Sequence, residues 1–252
     1  MMRVLVLGGT FEASELARLL AGARGIWAKM SFAGRTKAVV APPIPYRIGG
    51  FGGVEGLIEY LKAERIDMLV DATHPFAEQI SRNAAIAAQR TKIPLVVLSR
   101  PAWVRTAQDH WIDVADMAAA ADALRPQSKR VFLTIGRLQL EAFAKAPQHF
   151  YLIRTIEPLA ISPDLPNCRV IHGRGPFVME AEEKLLREES IDRLITKNSG
   201  GEAAFAKILA ARNLRIPVIM VARPGTDLQA VFYDPAKVVD FILRHQPARR
   251  GV

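Results

Sequence analysis

Three short stretches carry residues that can do chemistry. In IDMLVDATHPFA, from Ile66 to Ala77, Asp71, Thr73 and His74 stand close together. A carboxylate, a hydroxyl and an imidazole so placed can orient a polar ligand. The imidazole can also move a proton, because its ordinary pKa lies near working pH. Gly8-Gly9-Thr10 exposes backbone N–H groups of the kind that approach a phosphate. Lys197-Asn198-Ser199-Gly200-Gly201 supplies a cation, an amide, a hydroxyl and further backbone donors. A competing reading of the first stretch is purely local, with Asp71, Thr73 and Pro75 turning the chain and capping a helix.

Each stretch sits where a strand passes into a helix. Arg3–Leu7 is a short apolar run, and Ala13, Leu16, Ala17 and Leu20 recur at helical spacing after the glycine turn. The turn matches GxGxxG poorly, since no third glycine follows. Trp27–Ala33 reads as a second strand, ending in Gly34-Arg35-Thr36-Lys37. An acidic residue near this point would hold a ribose diol, whereas arginine and a hydroxyl suit a ribose 2′-phosphate. Arg35 and Thr36 are therefore expected to bind a cofactor phosphate along with Gly8, Gly9 and Thr10. Tyr46–Ile48 is a short third strand before the glycine run Gly49-Gly50-Phe51-Gly52-Gly53, which permits close backbone approach. Met68–Val70 leads into the Asp71–Phe76 loop, and Leu95–Leu98 is a fifth strand. Strands alternating with helices predict a doubly wound parallel α/β sheet, whose ligands lie outside the carboxyl ends of the strands.

A second alternating series follows a crossing segment at 104–112. Its strand ends carry Gly136-Arg137, Gly173-Arg174 and the Lys197 loop. AAQRTKIPLVVLSRP, from Ala87, is echoed in spacing by AARNLRIPVIMVARP, from Ala210. The echo predicts two similar domains, 1–103 and 113–243, with a basic tail at 244–252. It also predicts that the Asp71–Phe76 and Lys197–Gly201 loops look into one cleft.

Composition bounds the function class. The chain has 252 residues, half of them hydrophobic, and a net charge of +9. An excess of this size attracts anions. The basic residues form no aromatic-interleaved block of the kind that grips single strands, so a compact polyanion is the expected partner rather than nucleic acid. No apolar run approaches the ~20 residues of a membrane span, and the N-terminus lacks the pattern of a signal peptide. Cys168 is the only cysteine, which excludes an intramolecular disulfide and fits a reducing, cytoplasmic setting. His110, His149, His172 and His245 share no metal-ligand spacing, so no metal is expected. A monomer is expected.

Taken in order, VLVLGGTFEA, FAGRT, GGFGG, VDATHPFA, RPAW, TIGR, GPF and TKNSGG resemble the precorrin-6A reductases of cobalamin biosynthesis. DATHPFA and TKNSGG are the specific parts. The resemblance implies two Rossmann-like domains with mainly parallel sheets that exchange strands, a tetrapyrrole polycarboxylate between them, and NADPH as cofactor. It implies reduction of one macrocycle double bond to give precorrin-6B, with a cobalt-containing substrate in the anaerobic version. On that basis Ala72 and Thr73 join the cofactor-binding set. Asp71, His74, Arg137, Arg174, Lys197, Asn198, Ser199 and Gly200 form the substrate-binding set. His74 and Lys197 are the candidate catalytic groups, since a proton or a cation must answer charge developing on the ring. Two alternatives predict different behaviour: a nucleotide- or nucleic-acid-binding protein without turnover, and a tetrapyrrole enzyme with a purely structural glycine turn.

Overall fold

The computed structural model describes residues 1–34, 40–156, 158, 164–225 and 230–245. The chain forms two compact units, one comprising 1–101 with 224–252 and the other 102–223. Each holds a six-stranded, wholly parallel sheet.

In the first unit, β1 (Met2–Leu7), β2 (Ile26–Phe32) and β3 (Tyr46–Ile48) run outward in one direction. β4 (Met68–Asp71) and β5 (Leu95–Leu98) run outward in the other, so the order reverses between β1 and β4. Successive side chains of a strand point to opposite faces, and both faces here are covered. Val4 and Val6 pack with Leu16 and Leu20 of α1 (Phe11–Ala21) on one face. Leu5 and Leu7 pack with Leu57 and Leu61 of α2 (Gly53–Ala63) and Ala84 and Ala87 of α3 (Glu78–Thr91) on the other. All ten of these side chains are fully buried or nearly so. Each Leu or Val then contributes roughly 1.5–3 kcal/mol.

In the second unit, β6 (Trp111–Val114) lies at one edge, followed in the chain by α4 (Met117–Asp122). β7 (Arg130–Leu133), β8 (Phe150–Thr155) and β9 (Cys168–His172) run one way. β10 (Arg193–Lys197) and β11 (Val218–Val221) run the other, back to β6. α5 (Met179–Glu188) and α6 (Ala206–Asn213) cover one face through Leu186 and Ile208 against Phe132, Leu152 and Leu194. A 3₁₀ helix, Arg137–Lys145, follows β7 where the first unit has an α-helix.

The sixth strand of each sheet reveals the exchange. β6 follows β5 in the chain but pairs with β11. The two-residue β12 (Val231–Phe232) follows β11 but pairs with β5, and α7 (Pro235–Arg244) adds Val238 and Ile242 to the first unit's core. Each sheet is completed by the strand that would have extended the other. Residues 224–243 therefore do not stay with the second half of the chain, as a 113–243 domain requires. Trp111 and Ile112 belong to β6 rather than to a crossing segment.

The internal echo is deeper than its two matching windows. At the amino edge of the first sheet, the Arg3 amide donates to Asp67 Oδ2 (2.7 Å), and Arg3 Nε donates to the Glu64 carbonyl (2.6 Å). Its guanidinium stacks 3.9 Å from the Trp27 ring. In the second sheet the Arg130 amide donates to Asp192 Oδ2 (2.7 Å) and Nε to the Glu189 carbonyl (2.5 Å). That guanidinium stacks 4.1 Å from Phe150. Arg65 and Ser190 turn the chain at φ 50° and 49°, and Lys92 and Arg215 at 57° and 54°.

Candidate functional site

The reversal of strand order between β1 and β4 opens a crevice at the carboxyl edge of the first sheet, where ligands of such sheets bind. The segments flanking it are Gly8–Thr10 and Ala72–Thr73. Gly9 has φ +128°, which a side chain would strain, and a Cβ there would meet nothing within 4 Å. Thr10 is the N-cap of α1, accepting from the Ala13 amide at 3.1 Å, and its hydroxyl donates to the Ala72 carbonyl at 2.8 Å. That bond ties the glycine turn to the β4 loop. Gly8, Gly9, Thr10, Ala72 and Thr73 are thus brought together at the amino end of an α-helix. A phosphate is favoured there by the backbone N–H groups and by the helix dipole.

Asp71 is 2 % exposed, and its Oδ1 accepts from the Thr73 amide (3.0 Å) and hydroxyl (2.7 Å). It shapes the loop as an Asx turn. It does not cap the next helix: the N-cap of α3 is Ala77, with no side-chain hydrogen bond. His74 is exposed, and its Nδ1 accepts from the Phe76 amide at 3.2 Å. A neutral ring so held carries its proton on Nε2.

The second sheet has the same reversal, between β7 and β10. Gly136 (φ +83°) and exposed Arg137 follow β7, and Lys197 ends β10. Asn198 makes a two-way pair with the Trp103 backbone: its Oδ1 accepts from the amide at 2.8 Å and its Nδ2 donates to the carbonyl at 3.0 Å. Trp103 Nε1 donates to the Gly201 carbonyl at 2.8 Å. These bonds give Asn198 the part of holding the loop in shape. Ser199 and Gly200 are buried within it. Arg174 is exposed in the loop after β9, two strands from β7. That loop is anchored by Arg154, which pairs with Glu182 through Nη1 and Nη2 (3.0 and 2.8 Å). The same guanidinium lies 4.7 Å from the Phe132 ring and 4.2 Å from Phe177. Exposed Leu138, Ile156 and Val178 follow β7, β8 and β9 at this same edge.

Arg35 and Thr36 lie outside the described residues. Arg47 was not anticipated. It projects from β3 beside Ser31, and its only advance signal is an arginine just ahead of a glycine run interrupted by an aromatic. Among the described residues no group of three or more His, Cys, Asp or Glu can hold a metal. Among them, no helix is long and apolar enough to cross a membrane.

The family model described as precorrin-6x reductase CbiJ/CobK matches residues 3–243. The precorrin-6A reductase of Rhodobacter capsulatus is 46% identical over 252 residues, covering all of both chains. That of Rhodococcus erythropolis is 50% identical over 227 residues, covering 89% of this chain and 90% of its own. A cobalt-precorrin-6A reductase from Methanocaldococcus jannaschii is 27% identical over 254 residues, covering 96% and 98%. The solved structure of CobK precorrin-6A reductase superposes with a TM-score of 0.91 at 46% identity, over the whole of both chains. Matched from end to end in sequence and in fold, the chain belongs to the precorrin-6x reductase CbiJ/CobK family.

Proposed function

We propose that this chain reduces one double bond of precorrin-6A to give precorrin-6B, with NADPH as the donor. The observation that supports this most is the unequal furnishing of two equivalent crevices. In the first, a glycine turn opens an α-helix, an arrangement suited to a dinucleotide's phosphates. In the second, Arg137 stands where the first has Thr10, no α-helix begins, and the edge carries Arg137, Arg174 and Lys197 beside exposed Leu138, Ile156 and Val178. Side-chain cations interspersed with apolar groups suit a flat macrocycle ringed with carboxylates. The relatives favour the cobalt-free substrate: the precorrin-6A reductases are 45–50% identical to this chain and the cobalt-precorrin-6A reductases 27–28%.

When bound, NADPH would supply the hydride to one carbon of the double bond. The protein's part is to orient the two partners, hold the carboxylates and deliver a proton. The imidazolium form of His74 can provide that proton to the conjugated system, leaving a neutral ring that solvent reprotonates. Lys197, next to the switch point of the second sheet, anchors a carboxylate. Incubation with precorrin-6A and NADPH, followed by mass and absorbance of the product, tests the reading. The product should gain two hydrogen atoms and absorb as a shortened conjugated system. No turnover of precorrin-6A or of its cobalt form would overturn it.

A further inference from the structure

We propose that Arg47 is a specificity-determining residue that reads a phosphate on the adenosine ribose of the cofactor; this rests on NADPH being that cofactor. Its position comes from the sheet register. Arg47 pairs with Ser31 on β2, and Ser31 with Leu7 on β1. The Ser31 carbonyl also accepts from the Gly8 amide of the phosphate turn at 2.9 Å. The guanidinium therefore lies at the carboxyl end of β2, one strand from that turn. In sheets of this order the adenosine ribose lies at the end of the second strand.

The guanidinium is held ready rather than searching. Nη1 donates to Ser31 Oγ (2.9 Å) and to the Gly49 carbonyl (2.8 Å), and Nη2 donates to the Gly50 carbonyl (3.0 Å). Its plane is stacked 4.2 Å from the Phe51 ring and 5.2 Å from Tyr60. Side-chain freedom is spent before any ligand arrives, which favours binding.

All three acceptors are neutral, and among the described residues no carboxylate pairs with Arg47. The contrast with the second unit is direct. There Arg154 occupies the position equivalent to Ser31 and stacks on Phe177, also in the loop after a third strand, but Glu182 cancels its charge. Arg47 keeps its charge. The loop it holds also leaves room beside it: a Cβ at Gly50, Gly52 or Gly53 would meet nothing within 4 Å. A half-buried, uncompensated, pre-oriented guanidinium next to open space suits a phosphate better than it suits a structural prop alone.

The test is calorimetric titration of the intact protein, Arg47→Ala and Arg47→Lys with NADP⁺, NAD⁺, 2′,5′-ADP and 5′-ADP. Loss of a charge-assisted contact should weaken NADP⁺ and 2′,5′-ADP about ten- to a hundredfold in Arg47→Ala. NAD⁺ and 5′-ADP should change less than about threefold, since the lost contact concerns the phosphate alone. Arg47→Lys retains the charge without the fork and should fall between. Equal weakening of phosphorylated and unphosphorylated ligands would make Arg47 a loop prop, and no weakening would make it a bystander; either overturns the proposal while leaving the cofactor reading intact. If the intact protein binds NADP⁺ and NAD⁺ equally, the cofactor reading itself falls, and the proposal with it. Unfolding of Arg47→Ala would leave Arg47→Lys to decide, through the same ratio of phosphorylated to unphosphorylated affinities.

Discussion

The two units repeat one frame at the amino edge of the sheet and diverge at the carboxyl edge. Laying Arg3 on Arg130 puts Gly9 on Gly136 and Thr10 on Arg137. Laying Asp67 on Asp192 puts Asp71 on Thr196 and Ala72 on Lys197. Where the first unit has the hydroxyl cap Thr10 and the small residue Ala72, the second has the cations Arg137 and Lys197. The amino edge conserves its geometry because one Arg–Asp–Glu cluster ties β1 to the turn before β4 and the other ties β7 to the turn before β10. At the carboxyl edge the tie is not repeated: Thr10 bonds the Ala72 carbonyl in the first unit, and Arg137 stands in its place in the second. One architecture thus carries two differently furnished edges, one with a glycine turn and hydroxyl at an α-helix start and one with side-chain cations.

The comparison can be broken most forcefully at the two stacked arginines. Arg154→Ala leaves Glu182, whose side chain is 3 % exposed, as a buried unpaired charge. It should cost about 3–5 kcal/mol of unfolding free energy by denaturant titration. Arg47→Ala strands no charged partner among the described residues and should cost less, about 1.5–3 kcal/mol, for the loss of hydrogen bonds from a charged donor to neutral acceptors. Equal losses would mean the two arginines do the same work.

Kinetics should separate the two edges next. If Lys197 anchors a carboxylate, Lys197→Ala raises KM for the macrocycle about ten- to a hundredfold with kcat nearly unchanged. If His74 delivers the proton, His74→Ala lowers kcat and kcat/KM together. The reverse pattern would exchange their roles. Gly9→Val and Gly136→Val each force a side chain into a positive φ, at roughly 1–3 kcal/mol of strain. Titration should find dinucleotide affinity reduced only in the Gly9 variant, and macrocycle affinity only in the Gly136 variant.

Asp67→Ala and Asp192→Ala test the shared frame. Each should destabilise by about 1–3 kcal/mol through the loss of a charge-assisted backbone bond. A large difference between them would show that the duplicated geometry does not carry duplicated energy. The smallest effect is expected at His149, which falls opposite Ile26 of the first unit. Burial, then repulsion from Lys129, holds the imidazole below its ordinary pKa of 6.5. The unfolded chain therefore takes up a proton that the folded chain refuses. The stability this residue contributes is present above about pH 6.5 and is lost as pH falls below it. His149→Ile should flatten that acid limb, measured as unfolding free energy against pH.

Much of this was set by the order of residues alone. Strand, glycine turn and helix at Val4–Leu20 are contiguous, and their signal is a local alternation and period that needs no partner. The same holds for the Asp71–Phe76 and Lys197–Gly201 loops, which end apolar strands. Ala87–Pro101 and Ala210–Pro224 declared the duplication because helix–turn–strand spacing is carried within one segment. Tertiary structure alone decided the rest. β12 is two residues long and has no periodicity to read, so its place beside β5 comes from pairing across more than a hundred residues. Asn198 looked like a ligand group and became the partner of Trp103, because an amide bonds whatever backbone the fold delivers to it. Arg47 and Arg154 were ordinary surface cations in the sequence. Folding placed an aromatic face beside each and, among the described residues, a carboxylate beside only one, and that difference in neighbours, absent from either local sequence, is what sets the two arginines apart.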